Sequence, residues 1–257
     1  MSVKPDARRT SPHEDRRRPS PTPALPIVRR SLLLVLLSTL IGGGAVRPAS
    51  AQDIDSPYRF VETGREAALH SGWMSPAEGR FGFGPQAGPT FGLRFGVSVA
   101  GPIELEADLS WASLTRDVID PTGVDGPARI SEADVSQYHA LIKMQGSIVG
   151  RRTWNGLQPV LWVGLGLRGD FSGAQAGDLA IAEQYRYDTG TKFAATFGGM
   201  IRLIVSDRWS ARFEAGSLLY RLDTPGGYSE PDLGFEAVGQ NEWVNAPSFG
   251  LSLGYRF

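Results

Sequence analysis

The sequence predicts an all-β protein, an eight-stranded antiparallel up-and-down transmembrane β-barrel. Three observations carry that reading. Apolar residues recur at every second position in eight runs; the facing rows mix Gly, Ser and Thr with charges of both signs; and short connections alternate with long ones. Composition first removes other classes. The 257-residue chain has no Cys and three His, which excludes disulfide frameworks, thiolate metal sites and cysteine nucleophiles. No cofactor or metal is expected. A formal net charge of −1 averages two unlike parts. Residues 1–51 hold 9 of the 26 Lys+Arg and 3 of the 27 Asp+Glu, which leaves −7 on the remainder and argues against a nucleic-acid partner.

Residues 1–51 read as an address. The first 28 are rich in Pro and Arg and lack apolar periodicity. Arg29 and Arg30 then precede an eleven-residue apolar run, 31–41, and Ala49-Ser50-Ala51 follows it. That order is a positive n-region, a short h-region and an A-x-A cleavage site. The run stops well short of the ~20 apolar residues a spanning helix needs. Cleavage is expected after Ala51, with Ala49 and Ala51 as its recognition positions, and 52–257 forms the barrel domain. The head is long for such a signal, so translation is expected to start near Val28. The arginine pair fits both ordinary secretory and twin-arginine export.

The strands follow in order. Over about 65–74, Ala67, Leu69 and Trp73 alternate with Glu66, Ala68, His70 and Gly72. The clearest pair comes next. Phe91, Leu93, Phe95, Val97 and Val99 form one row; after a Gly101-Pro102 turn, Ile103, Leu105, Ala107, Leu109 and Trp111 form another. Two alternating runs about a Gly-Pro turn read as a β-hairpin. Further rows are Tyr138, Ala140, Ile142, Met144 and Ile148; then Leu161, Val163, Leu165 and Leu167; then Phe193, Ala195, Phe197, Ile201 and Leu203. Trp209, Ala211, Phe213, Ala215 and Leu219 make the seventh, and Phe249, Leu251, Leu253, Tyr255 and Phe257 the eighth. Lengths of 10–14 residues match the ~9–11 that cross a bilayer at ~45°.

An apolar row opposite a row of small and charged residues is the pattern of a lipid-facing exterior around a polar interior. Short turns fall near 100–102, 150–156 and 206–208, and long loops near 75–88, 115–134, 169–190 and 223–243. Trp154 and Trp209 lie at the short-turn end and Trp73, Trp111 and Trp243 at the long-loop end, as two interfacial belts require. Trp162 is inward by parity, opposite Gly-rich positions. The loops hold 15 acidic and 4 basic residues, read as solvated loops beside divalent-bridged glycolipid.

Parity also fills the lumen. Arg94, Lys143, Arg168, Lys192, Arg202, Arg212 and Arg256 face inward, with Glu66, Glu104, Glu106, Asp108 and Glu214. Eight strands leave an interior just wide enough for side chains. The expected lumen charge network is Arg94, Glu104, Glu106, Asp108, Lys143, Lys192, Arg202, Arg212 and Glu214. Folding the hairpin about Gly101-Pro102 sets Arg94 opposite Asp108, with Glu106 as the diagonal alternative. Gly166→Ser, on the same lumen face, is expected to be nearly silent. The G-x-G-x-x-G match at Gly164, Gly166 and Gly169 lacks the helix that a dinucleotide site requires, so it reads as small residues on a strand. His70 and His139 are read as lumen histidines without a ligand.

The closing residues Phe249, Leu251, Leu253, Tyr255 and Phe257 resemble the C-terminal assembly signal of bacterial outer-membrane barrels: alternate hydrophobics, then an aromatic, one residue and a terminal Phe. With eight strands and a signal peptide, residues 58–257 resemble the small OmpA-like and opacity-type barrels. The resemblance implies residence in the bacterial outer membrane and contact with its lipid and lipopolysaccharide. It also implies handling by periplasmic chaperones and the barrel-assembly machinery. The role it implies is structural or surface-interacting, through acidic extracellular loops whose ligand stays open. A narrow passive pore is the alternative, and a lipid A-modifying barrel enzyme the second. Catalysis is not expected. Lipid A deacylases place a His and a Ser two apart on a lipid-facing strand, and neither His70 nor His139 has that spacing.

Overall fold

In the computed structural model, the described residues are 57–62, 64–123, 127–188, 190–229 and 239–257. The expected cleavage positions Ala49 and Ala51 lie outside them. Eight strands close a ring: β2 (Arg65–Met74), β3 (Gly88–Ala100), β4 (Ile103–Asp120), β5 (Ala128–Ser147), β7 (Leu157–Asp170), β8 (Thr191–Ile204), β9 (Trp209–Asp223) and β10 (Asn241–Arg256). Each pairs antiparallel with its neighbours, and β10 closes on β2 from Ser248↔Met74 to Arg256↔Glu66. Closure leaves none of the eight as an unpaired edge.

Sequence reading missed one feature, a ribbon at the short-turn end. There β1 (Tyr58–Phe60) pairs with β6 (Arg152–Trp154), which enters β7 through Asn155-Gly156. Both turn residues have positive φ, 51° and 79°, the mirror-type hairpin turn that Asn-Gly favours. Three-residue strands carry too little alternation to be seen.

The apolar rows face outward. Leu69, Leu93, Leu109, Ile142, Leu165, Phe213 and Leu251 are each more than half exposed. Left in water, such side chains would forgo ~1.5–3 kcal/mol apiece. On β9, Trp209 and Arg221, the partner of Trp243, stand twelve residues apart. At ~3.3 Å per residue and a tilt of ~45°, that is about 28 Å along the barrel axis, close to a hydrocarbon core of ~30 Å.

Two expectations need correction. The span near 115–134 is mostly strand: β4 has 18 residues and β5 has 20, joined near 121–127. Beyond Trp111 the pattern inverts. Ala112, Leu114, Val118, Ala133 and Val135 are buried inward, while Ser113, Glu132 and Asp134 face out. An outer surface bathed by water must be polar, so a rule tuned to lipid reads these strands as loop. The lumen is also not polar throughout. Its long-loop half is an apolar core of Met74, Leu141, Leu218, Leu222 and Val244, closed by Phe83, Ile181, Tyr185 and Tyr228 from the loops.

Candidate functional site: the lumen

Register builds the polar half. Arg94 on β3 faces Asp108 on β4, and its Nε donates to Asp108 Oδ2 at 2.8 Å. The same guanidinium forks onto Glu214 of β9, across the barrel, with Nη1–Oε2 2.5 Å and Nη2–Oε1 2.6 Å. Arg94 Nη1 also donates to Ser252 at 3.1 Å, and Glu106 lies 3.7 Å from Nε. Asp108 further accepts from Lys143 and sits 3.5 Å from His70 Nε2. Toward the short-turn end, Arg212 donates to Glu106 at 2.5 Å and to Glu66, and Arg256 reaches Glu66 at 3.3 Å. Arg202 forks onto Glu104 at 2.9 and 2.6 Å, steadied by Gln158 and Gln145.

Lys192 departs from its expected place. It is the register partner of Arg168 but pairs with Asp223 at the long-loop mouth, about a third exposed, above the apolar half and apart from the ion pairs of the short-turn half. Arg116, which sequence reasoning left in a loop, is buried, and its Nη2 donates to both carboxylate oxygens of Asp178 at 2.5 and 2.6 Å. Asp178 belongs to α1 (Ala176–Leu179), a single turn in the loop after β7. This pair, with Arg186 donating to the Asp178 carbonyl at 2.9 Å, ties that loop over the barrel mouth. In the same loop layer, burial pushes the Tyr228 hydroxyl up to about 12.

Glycines make the large lumen side chains fit. The buried Trp162 ring lies over Gly198 and Gly216, where an added Cβ would stand 2.3 and 2.6 Å from it. His70 covers Gly92, and Glu66 covers Gly254, in the same way. Gly166 is different. A Cβ there would meet the Ala140 carbonyl at 2.1 Å and Leu141 Cα at 2.8 Å. That is main chain, which cannot swing aside, so the expectation of a silent Gly166→Ser does not hold. The G-x-G-x-x-G match lies along β7 with no helix opening from it.

Between the charged and apolar halves lies a chamber of about 60 Å³, bordered by His70, Asp108, Ser110, His139 and Trp162. A vestibule of about 690 Å³, bordered by Arg59, Arg208, Arg256 and Phe257, opens at the short-turn end. The layer of Glu66, Arg212 and Glu106 separates the two. Chemically, this lumen is a stack of paired ions capped by an apolar core.

Fold and lumen together define an eight-stranded barrel with an apolar exterior and a packed, charge-paired interior. No family profile and no curated protein matches the chain. Among solved structures it is similar to Neisserial surface protein A, with 10% identity and a TM-score of 0.48 over 76% of this chain and 98% of that one. It is similar to the outer membrane protein OprG from Pseudomonas aeruginosa, with 15% identity and a TM-score of 0.45 over 77% and 98%. It is also similar to Ail, the attachment invasion locus protein of Yersinia pestis, with 15% identity and a TM-score of 0.35 over 76% and 100%.

Proposed function

We propose that this chain is a bacterial outer-membrane barrel that works as a closed anchor for an ordered outer head, with a structural or surface-interacting role and no catalysis. One observation carries the reading: an exterior that only lipid can cover surrounds a lumen closed twice, by ion pairs and by loop-borne apolar side chains. The head is the part available to partners. On β4 it continues nine residues past Trp111, ~30 Å along the strand, and has its own buried core. The cleavable signal would deliver the chain to the periplasm. Lipid and lipopolysaccharide would then surround the belt.

Two measurements test this. The folded barrel should migrate differently boiled and unboiled on an SDS gel. In planar bilayers it should show no steady conductance steps. Identical migration would remove the barrel anchor, and reproducible conductance would favour the narrow passive pore.

The C-terminal row is proposed as the assembly signal. Phe257 is 63% exposed on the outer face; its ring touches Phe95 and Tyr255 at 6.4 and 6.5 Å between centres, and its main chain exchanges two hydrogen bonds with Arg65, so its deletion removes contacts only at the end of the barrel seam. Deleting Phe257 should reduce outer-membrane insertion in cells while refolding into detergent survives. Equal loss in both assays would assign it to stability instead.

A further inference from the structure

Of the inward-facing cations among the described residues, Arg94, Arg116, Lys143, Lys192, Arg202, Arg212 and Arg256 each have a carboxylate within 4.0 Å. Arg168 does not. It is 0% exposed, and Nε, Nη1 and Nη2 all lack a hydrogen-bond partner. Its one close contact of note is the Tyr220 ring, 4.1 Å from Cζ. A cation–π contact offsets only part of the cost of burying a guanidinium.

The surroundings repeat the deficit. His139 is the register partner of Arg168 across β5–β7, and Gln137 is that of Asp170. Gln137 and Tyr220 are 0% exposed and His139 3%, yet both amide atoms of Gln137, the Tyr220 hydroxyl and His139 Nε2 are unpartnered. Asp170, two residues along β7, accepts the Ser172 N–H through Oδ1 at 2.7 Å, while its buried Oδ2 is unpartnered too and makes no ion pair with Arg168. Buried polar groups are rarely left unsatisfied singly, and a cluster around a fixed cation asks for a partner from outside the chain. Of these residues His139 alone borders the 60 Å³ chamber, about two water volumes, the scale of the smallest carboxylates; Arg168, Gln137 and Tyr220 stand beside it and not in its wall.

We propose that Arg168, with Gln137, His139 and Tyr220, forms a binding site for a small carboxylate in the outer half of the lumen. The planar guanidinium presents two parallel N–H donors to both carboxylate oxygens, a match that a spherical anion lacks. The Gln137 amide and the Tyr220 hydroxyl supply further donors. The site goes beyond the closed-anchor reading, because a sealed barrel needs no ligand.

Refolding tests it without requiring a route through the loops. The full chain is refolded from urea into detergent micelles, and reversible unfolding is followed in sodium formate, acetate or chloride at equal ionic strength. Formate and acetate should stabilise more than chloride. Above the dissociation constant, each tenfold rise in carboxylate should raise the folded-to-unfolded ratio about tenfold. Arg168→Gln should erase that increment, and Arg168→Lys should keep only part of it. Superimposed formate and chloride curves for the wild type would overturn the proposal, as would an increment that survives in Arg168→Gln. If Arg168→Gln does not fold, Tyr220→Phe decides: weaker formate dependence supports the site, and unchanged dependence overturns it.

Discussion

Arg94→Ala should destabilise the barrel by about 3–5 kcal/mol in reversible urea unfolding, the usual cost of removing one partner from a buried ion pair. Which second substitution repairs it separates the structure from the sequence reading. Parity and hairpin arithmetic pair Arg94 with Asp108, so that reading expects Asp108→Ala to compensate. In the structure Asp108 keeps Lys143 and its neighbour His70 after Arg94 is gone. Glu214 keeps no basic partner among the described residues, since both its oxygens bind Arg94. Glu214→Gln added to Arg94→Ala should therefore recover more stability than Asp108→Asn added to it. The double-mutant cycle isolates each coupling. Equal recovery by the two, or greater recovery with Asp108→Asn, would mean that the cross-barrel fork does not hold in solution.

That difference marks where sequence reading stops. Position two residues apart decides which face a strand side chain takes, so the inward set was legible, and hairpin counting recovered Arg94↔Asp108 because one short turn sets that register. Contact across the lumen depends on strand tilt and stagger accumulated around the ring, and no local pattern records it. Glu214 on β9 was expected in the network, but its pairing with Arg94, 120 residues away, was beyond reach for that reason. The outer head hid for another reason. Its strands obey the same period of two with the faces exchanged, so Ser113 and Asp134 looked like loop once lipid was assumed outside. Arg168 was legible as inward but not as unpaired. Only the whole set of neighbours shows which cation lacks a carboxylate.

Leu165→Arg should cost ~2–4 kcal/mol in reversible unfolding, the range for a cation near the bilayer midplane on the lipid face of a barrel. Leu165 suits the test. It is 57% exposed on β7, between Val163 and Leu167 of the same outward row, with Ile142 and Ala195 as its cross-strand neighbours. None of these can pair a guanidinium. The control must change the lumen face without striking main chain, which rules out Gly166. Gly96 on β3 qualifies, because a Cβ there would find its nearest atoms at 3.8 and 3.9 Å, ordinary contact distances. Gly96→Ser should cost much less than Leu165→Arg, because its hydroxyl enters a polar layer between the register partners Glu66 and Glu106 without striking main chain. The contrast should persist in lipid vesicles and narrow in short-chain detergent, where water reaches the belt more easily. Similar losses for Leu165→Arg and Gly96→Ser in vesicles would mean that the exposed apolar rows are not what meets the lipid.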